Sequence, residues 1–231
     1  PSQLLSNGRQ IASTTVTTSS ASLLTINGIA FDDDGTMWVA SADDSLVVAF
    51  SPEILATSGL SEASTVIAPV DQSLRASAGI AFDPLQRLWV ANFTTGTIVR
   101  FDRGQLAAGG AQTPAVTITG MSGPTALAFD ASGSLWVTNS TAHTLFKYSA
   151  AQLERSGSPR PEVVLSAADS SLSNPFALAF DAGGRLWVAN IGTATIAAFT
   201  PGMLAVTGSP TPELEIVSLG DSSFVLPVGL A

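Results

Sequence analysis

Residues 79–92 read GIAFDPLQRLWVAN, and the pattern returns as GIAFDDDGTMWVAS at 28–41, ALAFDASGSLWVTN at 126–139 and ALAFDAGGRLWVAN at 177–190. The tryptophans, Trp38, Trp89, Trp136 and Trp187, stand 51, 47 and 51 residues apart. Each follows an aspartate by six residues (Asp32, Asp83, Asp130, Asp181) and precedes Ser41, Asn92, Asn139 or Asn190 by three. Twelve residues after each tryptophan comes an aromatic (Phe50, Phe101, Tyr148, Phe199), and then a good helix N-cap (Ser51, Asp102, Ser149, Thr200). Fixed offsets held in four copies define a structural repeat.

Each unit has a physical reading. The short apolar run before the aspartate, Ile29-Ala30-Phe31 in the first copy, predicts an inner strand buried on both faces. The aspartate opens a tight turn completed by Gly35, Gly133 or Gly184, where positive φ is cheap, with Gln86 standing there in the second copy. A second strand carries the tryptophan, and a third ends on the aromatic. A helical turn follows, with a repeated leucine (Leu55, Leu106, Leu153, Leu204) and a glycine four residues on (Gly59, Gly110, Gly157, Gly208), the expected helix stop. A β-branched fourth strand closes the unit. Four antiparallel strands in about 50 residues predict an all-β fold, a β-propeller blade. Small residues on the inner strands (Gly28, Gly79, Ala126, Ala177) suit strands converging on an axis, which a stacked solenoid would not need.

One domain over 1–231 is expected, with blades near 24–69, 74–119, 123–167 and 172–219. Segment 10–18 aligns with an outer strand and 226–231 with a fifth inner strand, so the pattern predicts a parent ring of five or six blades. The unpaired edges leave self-association through the incomplete blade as a further possibility.

Composition narrows the function classes. Nine Lys plus Arg against eighteen Asp plus Glu give a net charge of −9, which argues against a nucleic-acid partner. Charged residues are 12% and apolar residues 45%, ample for a core, and no run of about 20 apolar residues suggests a membrane span. The absence of cysteine removes thiolate chemistry. With lysine confined to Lys147 in a Ser/Thr/Ala-rich chain, it also favours an extracytoplasmic location, secreted or periplasmic.

The GIAFD…G.LWVAN pattern resembles NHL-type and gluconolactonase (strictosidine-synthase-like) propellers, with the virginiamycin B lyases a further relative. The resemblance covers nearly the whole chain but identifies blades, and such blades host enzymes, binders and scaffolds alike. Lactonases of this kind hold a divalent metal through carboxylate and amide groups in the channel. Here the inner strands carry no carboxylate before the turn aspartate, which speaks against that chemistry.

The candidate site residues follow. Ser41, Asn92, Asn139 and Asn190 end the second strands, either shaping turns or ringing the mouth of a central channel as ligand-binding groups. His143 is the only histidine and sits in a turn of the third unit, too isolated for a multi-histidine metal site or an evident triad. Asp32, Asp33 and Asp34 could offer oxygens to calcium, though a solvated acidic hairpin is the simpler reading and no other cofactor is expected. Asn92-Phe93-Thr94 and Asn139-Ser140-Thr141 match the glycosylation sequon. The connector at 119–124 is four residues shorter than its counterparts, leaving a low wall where a ligand could enter. The expectation is a non-catalytic module that binds a protein, a small molecule or a carbohydrate. The alternatives are a metal-dependent lactonase or lyase at the channel mouth and a structural repeat protein that assembles through open edges.

Overall fold

The computed structural model describes residues 15–18, 23, 25–167 and 169–217. Strand β1 (Val16–Thr17) precedes the first blade, which comprises β2 (Ile26–Phe31), β3 (Met37–Ser41), β4 (Leu46–Phe50), helix α1 (Pro52–Leu55), β5 (Gly59–Leu60) and β6 (Thr65–Ile67). The second holds β7 (Ser77–Phe82), β8 (Leu88–Asn92), β9 (Thr97–Phe101), α2 (Arg103–Ala108) and β10 (Val116–Ile118). The third is β11 (Pro124–Phe129), β12 (Leu135–Asn139), β13 (Thr144–Tyr148) and β14 (Val163–Leu165). The fourth is β15 (Pro175–Phe180), β16 (Leu186–Asn190), β17 (Thr195–Phe199) and β18 (Leu214–Val217). Among the described residues these form four four-stranded antiparallel sheets in simple up-and-down order, the propeller-blade arrangement. The helical turn after the third strand is α-helical in the first two blades and a 3-10 turn in the others (Ala150–Glu154, Met203–Ala205).

The inner strands of all four blades line one central cleft of about 220 Å³, so the sheets converge radially as the small residues predict. A Cβ on Gly28 would lie 2.4 Å from the Ala78 carbonyl oxygen, and one on Gly79 would lie 2.5 Å from that of Thr125. No side chain fits between these backbones. Each inner strand also breaks register near its start, between Ile26 and Gly28, Ser77 and Ile80, Pro124 and Leu127, and Pro175 and Ala177. Irregularities of this kind bend a strand and increase its twist.

Between blades, a phenylalanine from each of the last three inner strands seats against the tryptophan of the blade before it. Phe82 lies 6.1 Å from Trp38, Phe129 6.3 Å from Trp89 and Phe180 6.4 Å from Trp136, centroid to centroid, in edge or tilted geometry. Phe31 continues the series but is 59% exposed, and Ile26 and Ile29 beside it are also more than half exposed. The expectation of an inner strand buried on both faces therefore fails in the first blade, because among the described residues no sheet covers that side.

The repeated glycines have a role beyond stopping a helix. Gly110, Gly157 and Gly208 each bridge in parallel to the outer strand of the preceding blade, at Ile67, Ile118 and Leu165. Gly110 donates its N–H to the Val66 carbonyl at 2.6 Å and accepts from Ala68 at 3.0 Å. The fourth such latch joins β1 to β5, pairing Val16 with Gly59 and Thr17 with Leu60. β1 thus occupies an outer-strand position one blade before the first, while 10–14 and 226–231 lie outside the described residues. In the second blade the helix cap itself is Gly109, at φ +62°.

Gly79→Val should destabilise the fold by about 1–3 kcal/mol through overpacking. Gly104→Ala, in α2 with open space around its Cβ position, should be neutral or stabilising. Urea denaturation of both variants checks the pair, and equal midpoints would contradict the close strand approach.

Candidate functional site

The repeated aspartate is a two-sided clamp. In every blade its Oδ2 accepts the indole N–H of the blade's tryptophan: Trp38 to Asp32 at 2.9 Å, Trp89 to Asp83 at 3.0 Å, Trp136 to Asp130 at 3.2 Å and Trp187 to Asp181 at 3.0 Å. Its Oδ1 accepts two backbone N–H groups of its own hairpin, as Asp83 does from Leu85 and Arg87. The turn-capping reading of these aspartates captures half of this arrangement. Gln86, in place of the turn glycine, does adopt φ +59°, and its side chain accepts the Asp33 N–H of the neighbouring blade at 2.9 Å.

A cation completes three of the four clamps. Arg100 lies 5.7 Å over Trp89, Lys147 5.8 Å over Trp136 and Arg185 5.6 Å over Trp187. Arg87 and Arg185 pair with their clamp aspartates at 2.6 and 2.8 Å, and Lys147 pairs with Asp130 at 3.5 Å. Glu154 reaches from the third blade to Arg87 and Arg100 of the second, sealing that junction. Burial opposes the charged form of Arg87, but the hydrogen bonds it donates to Asp83 and Glu154 outweigh it and raise its pKa. Burial likewise pushes Asp130 up, and hydrogen bonds from Ser132, Ser134 and Trp136 outweigh it, leaving the carboxyl below its usual range. Asp181 is held well below that range by the Trp187 indole and then by Arg185.

At the other end of the second strands, Ser41, Asn92 and Asn190 have no measurable exposure and Asn139 only 2%. Asn92 Nδ2 donates to the Ser73 carbonyl at 2.9 Å and to Thr97 at 3.2 Å, while its Oδ1 accepts from the Arg75 N–H and the Ser77 hydroxyl. Asn190 repeats the pattern with Ser171, Thr195 and Ser173. Asn139 accepts from the Ser122 N–H and donates to Thr144. Ser41 donates to Asp44 at 2.6 Å. These amides fasten each blade's incoming connector to its second-strand turn. Their burial also removes Asn92 and Asn139 as glycosylation acceptors in the folded chain.

His143 is exposed in a left-handed turn at φ +56°, and its Nδ1 accepts the Asn174 N–H of the fourth blade at 2.9 Å. That bond places the proton of the neutral ring on Nε2. Asp32, Asp33 and Asp34 do not act as a unit. Asp32 serves the clamp, the Asp33 N–H goes to Gln86, and the Asp34 carboxylate lies 3.7 Å from Arg103. Among the described residues no group of three or more acidic or histidine side chains is arranged to hold a metal ion.

The short connector leaves a real hollow. A cavity of about 400 Å³ opens on the rim between Phe93, Thr94, Thr95, Met121, Ser122 and Thr141, with no charged lining. Gly123 makes it possible, since a Cβ there would lie 2.4 Å from Thr141 Oγ1 and 2.8 Å from the Phe93 ring. Phe93 is 44% exposed. The missing four residues were legible in the spacing, whereas the exposed ring that borders the gap was not.

Neither a family model nor any curated protein matches the chain. Solved structures do. A streptogramin B lyase superposes with a TM-score of 0.61 at 13% identity, over 86% of this chain and 56% of that one. A catalytically inactive histidine-to-alanine variant of virginiamycin B lyase from Staphylococcus aureus, with quinupristin, gives 0.61 at 12% identity, over 86% and 57%. Hydrazine synthase from Kuenenia stuttgartiensis gives 0.58 at 12%, over 80% and 48%. The chain spans a little over half the length of the two lyases. At such identities the likeness shows the propeller fold alone.

Carboxyls held below their unfolded-state value stabilise the fold above about pH 4 and lose that contribution as pH falls through their native values. Thermal midpoints should therefore hold from neutral pH to about 5 and then fall, and Asp181→Asn should lower the neutral midpoint while flattening the acid limb. Asn92→Ala should cost about 1–3 kcal/mol by stranding buried connector groups, measured by chemical denaturation.

Proposed function

We propose that the chain is part of an extracytoplasmic β-propeller that binds a neutral carbohydrate without transforming it, at the hollow beside Phe93. The carrying observation is that cavity: an exposed aromatic ring facing three threonines and a serine, with no charge on its lining. A ring presents an apolar face to the C–H face of a sugar, while hydroxyls and turn carbonyls exchange hydrogen bonds with its hydroxyl groups. The buried asparagines contribute indirectly, by holding the connectors that wall the rim. The composition supports the location, and no helix among the described residues is long and apolar enough to cross a membrane.

A glycan array followed by calorimetry on any hit tests the reading. Phe93→Ala should weaken binding by about tenfold or more with little change in melting temperature. Unchanged affinity in that variant, or no glycan bound above background, would overturn it.

A second reading is favoured by the position of His143, exposed on the same rim turn as Thr141 of the hollow. On it the propeller is a lyase, the activity named for two of the structural neighbours. Incubation with quinupristin and mass spectrometry of the products separates the two. A quinupristin-derived product that is lost in His143→Ala would replace the binding proposal.

A further inference from the structure

The clamp of the first blade differs from the other three. The register aligns Ala49 with Arg100 and Lys147, and Thr36 with Arg87 and Arg185, so neither position that supplies a cation elsewhere does so here. Two acidic positions of the sealed junction are also truncated: Ser51 stands where Asp102 does, and Ala107 where Glu154 does. A cleft of about 300 Å³ lies here between the first and second blades, at the opposite end of the strands from the rim hollow, and the corresponding space of about 440 Å³ between the third and fourth blades is lined by Lys147. Asp32, Asp34, Trp38, Ser51, Thr65 and Arg103 are among its lining residues.

We propose that this cleft binds a guanidinium group supplied from outside the chain, seated over Trp38 and paired with Asp32. The chain itself shows the mode of recognition. A guanidinium or ammonium lies 5.6 to 5.8 Å over the other three indoles, and in each of those blades a cation also pairs with the clamp carboxylate. Asp32 keeps the acceptor geometry of its counterparts, with Oδ2 bonded to the indole at 2.9 Å and Oδ1 to the Thr36 and Asp34 N–H groups. Trp38 is 5% exposed, against 0% and 1% for Trp89 and Trp136 beneath their cations, while Trp187 is half-buried beneath Arg185. Hydroxyls of Thr36, Ser51 and Thr65 line the space as further acceptors for N–H groups. Arg103 does not fill it. Its side chain is 69% exposed and among the described residues reaches only the outer carboxylate, Asp34, at 3.7 Å. Arginine is preferred to lysine as the model because its planar group stacks on an indole and donates sideways at once.

Titration of the ¹⁵N-labelled chain with n-butylguanidinium, followed at the indole N–H signals, tests the proposal. The Trp38 signal should shift and saturate in the millimolar range while the other three stay in place. The uncharged isostere n-butylurea should bind about tenfold more weakly, the worth of one cation–π contact. Ala49→Arg, copying the second blade, and Thr36→Arg, copying the fourth, should each fill the cleft and abolish the response. Acetyl-Gly-Arg-Gly-amide binding more tightly than n-butylguanidinium would assign the site to an arginine of a peptide, and equal affinity to small guanidinium compounds. Equal effects of the urea, uniform shifts of all four indoles, or a folded filler variant that still responds would each overturn the assignment.

Discussion

The contact on which the architecture depends is the bond between a turn aspartate and the indole N–H six residues later. A buried indole needs an acceptor, and a hairpin needs its turn amides satisfied; one carboxylate does both. The tryptophan is thereby fixed at the blade edge, where the next blade's phenylalanine meets it. Local turn chemistry and the packing between blades are therefore one interaction seen from two sides. Ion pairs with Arg87, Lys147 and Arg185 add charge balance to a carboxylate that would otherwise be costly to bury.

Around that constant core, small departures from the repeat make the distinctive surfaces. Side chains that fill the second junction (Arg87, Arg100, Asp102, Glu154) are all shortened at the first, and a cleft appears there. Four residues lost from one connector open the hollow at Phe93. In both places the strands keep the repeat geometry, so the missing volume is not closed by collapse. A repeat protein of this kind opens hollows by subtraction, because each blade is held by its neighbours whatever one position carries.

The outer rim adds a second tie between blades. Single glycines bridge to the outer strand before them, and β1 forms the same bridge with β5. These backbone latches are reinforced by side chains, since Ser58, Ser156 and Thr207, each one residue before the glycine, accept the N–H groups of Thr15, Thr117 and Val164. They act far from the axis, where a blade would otherwise splay most easily. The inner strands do the opposite work at the axis, where Gly28 and Gly79 let backbones touch.

Much of this was written in the sequence. The period, the strand order, the hairpin aspartates, the small inner residues and the shortened connector all follow from fixed spacings, because each is a local requirement of one blade. Reading Gly59, Gly110, Gly157 and Gly208 as helix stops captured their neighbourhood but missed their partner, which lies on another blade. The same holds for the indole bond: the six-residue offset was visible, but not that it brings the two side chains together. Asn92, Asn139 and Asn190 could equally have faced a channel, and only the placement of the connectors decided that their amides turn inward. Which indole lacks a cation was likewise decided in three dimensions, since Arg185, from the hairpin before β16, replaces the third-strand position used by Arg100 and Lys147. Sequence periodicity determines what each blade is; contacts between residues some fifty positions apart determine what the blades leave open.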